Sequence, residues 1–261
     1  MNLKLNGKNA LVCGSSKGIG KASAIELALL GANVTLVART EEKLKLVLEE
    51  LDCSQGQQHD YLLIDYSNLA ELQAIVSAEL QKKNYHILVN NTGGPPAGPV
   101  LEAKVDAFLQ AYSNHLICNH LLATMLIEGM KMDNYGRIIN IVSTSVKQPL
   151  DGLGVSNTTR AAVAGWAKTL SNEVAKFGIT VNNVLPGATR TERLEEIIVG
   201  GSANKGIETE VYESEMKKEI PMGRFGEPGE IAAVVAFLAA PAAAYLTGMS
   251  IAVDGGRTKG L

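Results

Sequence analysis

Short, continuous runs of apolar residues alternate with longer helical patterns along nearly all of this 261-residue chain. Apolar runs without polar alternation are typical of parallel strands that are covered on both faces. Helical segments between such strands favour right-handed crossovers. We therefore predict an α/β fold with a doubly wound parallel sheet of about seven strands and helices on both faces. The predicted strands span 9–13, 33–38, 59–64, 86–90, 137–142, 179–185 and 250–253.

Composition narrows the class of protein. Apolar residues make up 46% of the chain and the formal net charge is −3, which is ordinary for a globular domain, so we expect residues 1–261 to form one domain. No basic block stands out, so nucleic acid is not an expected partner. The longest apolar run, 231–244, is too short to span a bilayer, so no membrane partner is expected.

The three cysteines point to a reducing compartment. Cys13, Cys53 and Cys118 are scattered, with neither metal-ligand spacing nor a disulfide framework. The polar stretch Met1 to Lys8 lacks the apolar core of a signal peptide. We therefore expect a cytoplasmic protein without a bound metal.

A glycine-rich loop follows the first predicted strand and opens the first predicted helix. Its glycines allow a tight turn and a close approach to a pyrophosphate, which the N–H groups of the helix N-terminus can bind. This context predicts a Rossmann-type dinucleotide site, whereas the alternative is a turn without a ligand. The predicted cofactor-binding residues here are Gly14, Ser16, Lys17, Gly18, Ile19 and Gly20.

Arg39, at the end of the second predicted strand, bears on which cofactor binds. An acidic residue near this position would bind the ribose 2′-hydroxyl of NAD, whereas an arginine favours a 2′-phosphate. Lys17 adds a second cation nearby. Both charges favour NADP(H) over NAD(H). The alternative is that both are solvated surface cations.

Further candidates follow the later strands. Asp65 can accept a hydrogen bond from the adenine amino group, or it can stabilise the N-terminus of the next helix. The remaining predicted contacts lie in ordinary turn sequences, with Asn91 and Gly93 beside the cofactor ribose, Pro186 and Gly187 beside the nicotinamide, and Thr191 on its carboxamide.

Taken together, these motifs resemble the short-chain dehydrogenase/reductase family along essentially the whole chain. The resemblance implies hydride transfer between a nicotinamide cofactor and a carbonyl or alcohol. It also implies assembly into homodimers or homotetramers, and closed symmetric homo-oligomers are the commonest kind of protein assembly. The motifs are Gly14-x-x-x-Gly18-x-Gly20, Asn90-Asn91-x-Gly93, Gly136-Arg137-Ile138-Ile139-Asn140-Ile141, Val181-Asn182-x-Val184-x-Pro186-Gly187, Arg224-Phe225-Gly226-x-Pro228 and Val253-Asp254-Gly255-Gly256. The last two of these motifs look most like those of 3-oxoacyl-acyl-carrier-protein reductases.

The resemblance also implies a catalytic tetrad of Asn, Ser, Tyr and Lys, from which this chain departs. Asn114 and Ser143 match the first two positions, whereas Ser156 and Arg160 stand at those of Tyr and Lys. Serine is a far weaker acid than tyrosine. Arginine can still bind the cofactor ribose, but it does not give up its proton.

Because the tyrosine is missing, several residues are candidates for the proton donor. Ser156 acting through water is one candidate, and Lys147 is the first choice among neighbouring residues because a lysine desolvated in a cleft shifts towards a neutral pKa. Asp151 lies in the same loop. His115 and Tyr112 are less favoured because a helix turns their side chains away from that of Asn114.

Segment 191–218 carries Gly200, Gly201 and Gly206 among many charged residues. Because glycine-bearing loops often close over a site, we interpret it as a mobile substrate lid; the alternative is a surface excursion without a role. Protection from proteolysis by cofactor plus substrate would support the lid, and indifference to both would contradict it.

Two functional hypotheses follow. The first is an NADP-dependent oxidoreductase, 3-oxoacyl reductase-like, acting on a small-molecule or acyl-thioester substrate through an atypical catalytic site. The second is a catalytically impaired nucleotide-binding pseudoenzyme or assembly subunit, which Ser156 and Arg160 favour. A lyase or isomerase on the same fold is a third possibility, since fold alone does not define function.

Overall fold

The computed structural model describes residues 1–260 and contains a sheet of seven strands. Every neighbouring pair is parallel, which confirms the predicted doubly wound sheet. The strands are β1 (Asn9–Cys13), β2 (Asn33–Ala38), β3 (Asp60–Leu63), β4 (Ile87–Asn90), β5 (Gly136–Ile141), β6 (Ile179–Pro186) and β7 (Ser250–Val253), in the spatial order β3-β2-β1-β4-β5-β6-β7.

Nine α-helices accompany the strands within residues 1–260, none long and apolar enough to cross a membrane. They are α1 (Gly18–Leu29), α2 (Glu41–Glu49), α3 (Leu69–Leu80), α4 (Val105–Tyr112), α5 (Cys118–Met132), α6 (Gly154–Val174), α7 (Glu192–Lys205), α8 (Thr209–Lys218) and α9 (Pro228–Ala239).

Two hydrophobic cores lie on opposite faces of the sheet. Helices α1, α2 and α9 cover one face, where Ala10 and Val12 of β1 are buried. Helices α3, α5 and α6 cover the other face, where Leu11 and Cys13 of the same strand are buried. Because successive residues of a strand point to opposite faces, burial on both sides explains the continuous apolar runs.

A ladder of polar side chains, three of them buried asparagines, ties four neighbouring strands together. Asn90, Asn140 and Asn183 occupy paired positions on β4, β5 and β6, and Ser250 continues the row on β7. Each amide donates to the next side chain, at 2.9 Å from Asn90 to Asn140, 2.9 Å from Asn140 to Asn183 and 3.1 Å from Asn183 to Ser250. The row fixes the register of these four strands, and with it the positions from which the loops after β4, β5 and β6 leave the sheet.

Asn140→Ala should therefore destabilise the fold strongly. Truncation removes two hydrogen bonds and leaves buried amide groups of Asn90 and Asn183 unpaired, which costs about 2 to 4 kcal/mol in free energy of unfolding. Urea denaturation measures the change. Asn6→Ala is the control, because the exposed Asn6 amide donates only to Gln55. Equal, small losses for both variants would contradict a structural role of the ladder.

The sequence predicts one helix over about 105–130 and another, mostly helical segment over 161–177, and the structure corrects both. Helix α6 begins at Gly154 rather than at 161, so it includes Ser156 and Arg160. The segment 154–160 is poor in helix-favouring residues, and tertiary packing overrides that preference: a Cβ on Gly154 would lie 2.5 Å from Cβ of Val100. The predicted helix 105–130 is interrupted by a π-helical turn, Ser113–Ile117.

Segment 191–218, which we interpret as a substrate lid, consists mostly of α7 and α8. The sequence predicts a helix over 208–219, which α8 confirms, whereas α7 is not predicted. The Gly200-Gly201 pair does not break α7. A Cβ on Gly201 would lie 2.3 Å from Tyr212 Cζ, so the glycine allows the aromatic ring of α8 to pack against α7. Leu194, Ile198 and Phe225 complete a small separate core beneath these helices. Closure of this segment on a substrate stays a prediction.

Candidate active site

A cleft of about 1010 Å³ opens at the carboxyl ends of the strands. It lies where the strand order reverses, between β1 and β4, the usual ligand position in such sheets. Sixteen of the predicted site residues line it, and Gly20 lies directly beneath. The lining residues are Gly14, Ser16, Lys17, Gly18, Ile19, Arg39, Asp65, Asn91, Gly93, Asn114, Ser143, Ser156, Arg160, Pro186, Gly187 and Thr191.

The glycine loop is defined by very close backbone packing. Gly14 and Gly18 have φ values of +58° and +56°, in the left-handed region that favours glycine. A Cβ on Gly20 would lie 2.2 Å from the carbonyl oxygen of Gly14, so no larger residue fits there. The Asn91 amide donates to the carbonyls of Cys13, at 3.3 Å, and Gly14, at 3.2 Å, and thereby ties the loop after β4 to it.

Helix α1 presents a free N-terminus to the cleft. Lys17 occupies the N-cap position without a side-chain capping hydrogen bond, and the first turn holds no acidic residue. The N–H groups of a helix's first turn have no intrahelical partners and carry partial positive charge. This end of the cleft is therefore suited to a phosphate.

Cations surround the far end of the cleft, beyond β2. Arg39 is exposed there, and Lys43 follows one turn into α2. Lys17 pairs with Glu192 at the start of α7. Sequence reasoning missed Lys43, which the first turn of α2 directs to the cleft lining.

Asp65 organises its own turn rather than capping the next helix. Its Oδ1 accepts hydrogen bonds from the Ser67 amide, at 2.9 Å, and hydroxyl, at 2.8 Å. These bonds lower the pKa of the Asp65 carboxyl, and Arg39 adds a smaller electrostatic contribution. Asn68, not Asp65, caps α3, so the second carboxylate oxygen remains available to a ligand.

The loop after β6 packs against the glycine loop. A Cβ on Gly187 would lie 2.7 Å from the Asp254 Cα atom, so a glycine is needed where β6 and β7 end together. Thr191 caps α7 by accepting from the Leu194 amide at 3.4 Å. A Cβ on Gly18 would lie 3.2 Å from Thr191 Cγ2, which places the start of α7 over the cofactor end of the cleft.

The four predicted catalytic residues come together from three elements. Asn114 lies in the π-helical turn, a feature frequent at functional sites, and its Oδ1 accepts from Gln110 Nε2 at 2.9 Å. Ser143 follows β5, and its Oγ accepts from the Ser145 amide at 3.1 Å, which leaves its proton free to be donated. Ser156 and Arg160 reach the same cleft from the start of α6.

Arg160 is the most perturbed cation of the cleft. Its Nη1 donates to the Ile141 carbonyl at 2.8 Å, whereas its buried Nε has no hydrogen-bond partner among the described residues. Burial lowers the pKa of this guanidinium to about 10, with a further contribution from repulsion by Arg193. Arg160 therefore remains charged at neutral pH.

Comparison with known proteins identifies the family. The model for Enoyl-(Acyl carrier protein) reductase matches residues 14–258. The 3-oxoacyl-acyl-carrier-protein reductase FabG of Vibrio cholerae is 33% identical over 257 residues, 97% of this chain and 98% of that protein. The chain belongs to the short-chain dehydrogenase/reductase family. The resemblance predicted from its motifs is therefore confirmed at the family level.

Other members of this family are similar over the same extent. A ketoacyl reductase 1 of the granaticin polyketide synthase of Streptomyces violaceoruber is 34% identical over 250 residues, 95% of this chain and 92% of that protein. The structure of L-sorbose reductase from Gluconobacter frateurii, in complex with NADPH and L-sorbose, superposes with a TM-score of 0.92 and 31% identity over 100% of both chains.

Within this short-chain dehydrogenase/reductase, Lys147 does not occupy the predicted place. The short 3-10 helix Thr144–Val146 leads the chain away from the cleft, so that both Lys147 and Asp151 are exposed and outside its lining. The expectation that Lys147 is desolvated in the cleft is therefore wrong. Loop residues near a catalytic position in sequence need not face it, because a single turn reverses their direction.

His115, in contrast, lies closer to the cleft than helical spacing implies. The imidazole is buried, and its Nδ1 lies 2.5 Å from Oγ1 of Thr92, which lines the cleft. The π-helical turn changes the direction in which residue 115 points. Burial lowers the pKa of His115 to about 3, with a smaller contribution from the positive charge of Arg160, so the ring is neutral at physiological pH.

Burial of neutral His115 makes the fold sensitive to acid. The imidazole of His115 is protonated below about pH 6.5 in the unfolded chain, but only below about pH 3 in the folded chain. The free energy of unfolding therefore decreases as the pH falls between these two values. From pH 7.5 to pH 5 that loss is about 2 kcal/mol. His115→Gln should lose correspondingly less in urea titrations at both pH values, and equal losses would contradict a neutral buried ring.

Proposed function

We propose that this protein binds NADP(H) and transfers hydride between it and the carbonyl or alcohol carbon of a small-molecule or acyl-thioester substrate. The observation that carries the proposal is the uncapped N-terminus of α1 beneath the Gly14–Gly20 contact. This cradle fits a dinucleotide pyrophosphate, because backbone N–H groups face the cleft and no side chain obstructs the approach.

The cations beyond β2 favour the phosphorylated cofactor. Arg39 and Lys43 line the end of the cleft at which the adenosine ribose would lie. Among residues 1–260 no ion pair engages either side chain, so both charges are available for a 2′-phosphate. The complex of L-sorbose reductase with NADPH supports the same choice.

The residues of this chain would act around the reacting carbonyl as follows. Bound NADP(H) supplies or accepts the hydride. Ser143, whose hydroxyl proton is free, donates a hydrogen bond to the substrate oxygen, and Asn114 organises water beside it. Arg160 holds the ribose hydroxyls through guanidinium N–H groups.

We further propose that Ser156 and Arg160 replace the tyrosine and lysine of the family's catalytic motif. Ser156 lies at the cleft wall and can pass a proton only through water, since its own acidity is far from the working pH. Thr92, hydrogen-bonded to the His115 imidazole, is a second hydroxyl on the same wall. Carbonyl reduction at this site should therefore be slower than with a positioned tyrosine, by about 10² to 10⁴.

Arg39→Glu should reverse the cofactor preference. A carboxylate repels the 2′-phosphate and accepts from the 2′-hydroxyl of NADH. We expect NADPH affinity to fall by about 10- to 100-fold relative to NADH, measured by fluorescence titration with both cofactors. Lys83→Gln, on the far side of β2 and hydrogen-bonded to Thr35, is the control. An unchanged affinity ratio would contradict the assignment.

The double variant Ser156→Tyr with Arg160→Lys tests the proposed replacement. A tyrosine beside a lysine restores an acid of suitable pKa, so we expect carbonyl reduction to rise by about 10² or more. The measurement is NADPH oxidation over a carbonyl panel that includes a 3-oxoacyl thioester, beside NADPH titration of both proteins. A fall in turnover with intact NADPH binding would show that Ser156 and Arg160 serve the natural reaction directly.

The same pair of residues favours a second candidate function, a nucleotide-binding pseudoenzyme or assembly subunit. Tight NADPH binding without turnover in the native chain, together with turnover in the double variant, would support it.

We also propose a homodimer or homotetramer assembled through α4, α5 and α6, since Val105, Leu109 and Tyr112 of α4 are exposed. Sedimentation at several concentrations tests this assembly.

A further inference from the structure

Two guanidinium groups converge on one position at the substrate end of the cleft. A methyl group placed on Gly94 would lie 3.6 Å from Arg193 Nε, 3.8 Å from Arg193 Nη2 and 3.8 Å from Arg160 Nη2. Gly94, Arg160 and Arg193 all line the cleft, on the loop after β4, on α6 and on α7 respectively. Both guanidinium groups therefore lie close to the Gly94 backbone and to each other, with no side chain at position 94 beside them.

These guanidinium groups retain free donors. Arg193 Nη2 donates to the Pro95 carbonyl at 2.6 Å and Nη1 pairs with Glu196 at 3.1 Å, which leaves Nε–H and one N–H of Nη2 on the same edge. Arg160 uses Nη1 for the Ile141 carbonyl, so both N–H groups of Nη2 remain, one for the cofactor ribose of the proposed function and one for an anion. The Nε and Nη2 edge of an arginine matches the two oxygens of a carboxylate.

The charge at this position is not compensated within the described chain. Among residues 1–260 no carboxylate contributes to the electrostatic environment of Arg160, which is instead repelled by Arg193. The partner of Arg193, Glu196, is largely exposed, and exposed pairs of this kind contribute little and open readily. Arg160 is buried and Arg193 is partly exposed, and an anion bound between two such like charges would relieve their mutual repulsion.

We propose that the substrate carries a carboxylate and that Arg193, together with Arg160 Nη2, binds it beside Gly94. The substrate class is therefore an oxo acid or the corresponding hydroxy acid, with its carbonyl towards Ser143. Arg193 is a substrate-binding residue, and the absence of a side chain at Gly94 leaves the approach to both guanidinium groups open. This inference rests on the proposed function, because it names the substrate of the same site.

Arg193→Gln and Gly94→Ala test the site from two directions. The glutamine removes the charge. The alanine methyl would lie 3.6 to 3.8 Å from the guanidinium nitrogens, so it should hinder the approach of an anion to them without disturbing the fold. Gly98→Ala is the matched control, because it lies in the same loop and its Cβ would meet nothing within 4 Å.

The probes are phenylpyruvate and levulinate, each compared with its methyl ester. NADPH oxidation should favour the acids over the esters by about 10- to 100-fold in kcat/KM, the value of charge-assisted hydrogen bonds. Both Arg193→Gln and Gly94→Ala should remove most of that preference, whereas Gly98→Ala should retain it. Equal use of acid and ester by the native chain, or a preference that survives both substitutions, would overturn the inference.

Calorimetry with the same probes, with and without NADP⁺, distinguishes a failure of the carboxylate site from a failure of the proposed hydride transfer. Binding of the acids but not the esters, lost in Arg193→Gln, supports the carboxylate site even where no turnover occurs, and absence of turnover then counts only against the proposed hydride transfer. Turnover of the esters alone supports hydride transfer and overturns the carboxylate site. Failure of the acids to bind in either state also overturns it.

Discussion

The contact between Gly20 and the carbonyl of Gly14 is the constraint on which the rest of the site depends. It allows α1 to start directly beneath the end of β1, with its N-terminus facing the cleft. Asn91 then bridges from the neighbouring strand β4 to the same loop. Because the sheet reverses its strand order between β1 and β4, this one close approach both opens the cleft and orients the dipole that makes it suitable for phosphate.

Positive charge is distributed at two separate ends of that cleft. Arg39 and Lys43 lie beyond β2, where they would meet the adenosine half of a dinucleotide, whereas Arg160 and Arg193 lie near Ser143. The chain as a whole carries a formal charge of −3, so these clusters are local features of the site. Low-dielectric walls increase the effect of such charges on a bound anion.

The framework of the cleft does not depend on which side chains stand at positions 156 and 160. The asparagine ladder, the glycine loop and the two cores depend on β1 to β7 and their helices, and none of them requires a tyrosine at position 156. Ser156 and Arg160 occupy the first two turns of α6, where the packing of Gly154 against Val100 holds the helix. An intact cleft is therefore compatible with the replacement that we propose at these two positions.

The sequence by itself determined the sheet, the glycine loop and sixteen of the residues that line the cleft. Those signals are local: burial on both faces imposes continuous apolar strands, and close backbone approach imposes glycine at 14, 18 and 20. Only the tertiary structure decided what distant segments place together. The π-helical turn brought His115 to Thr92, the 3-10 turn after Ser143 carried Lys147 to the surface, and α7 set Arg193 opposite Arg160. Such juxtapositions depend on the direction of side chains from separate elements, which no local pattern encodes.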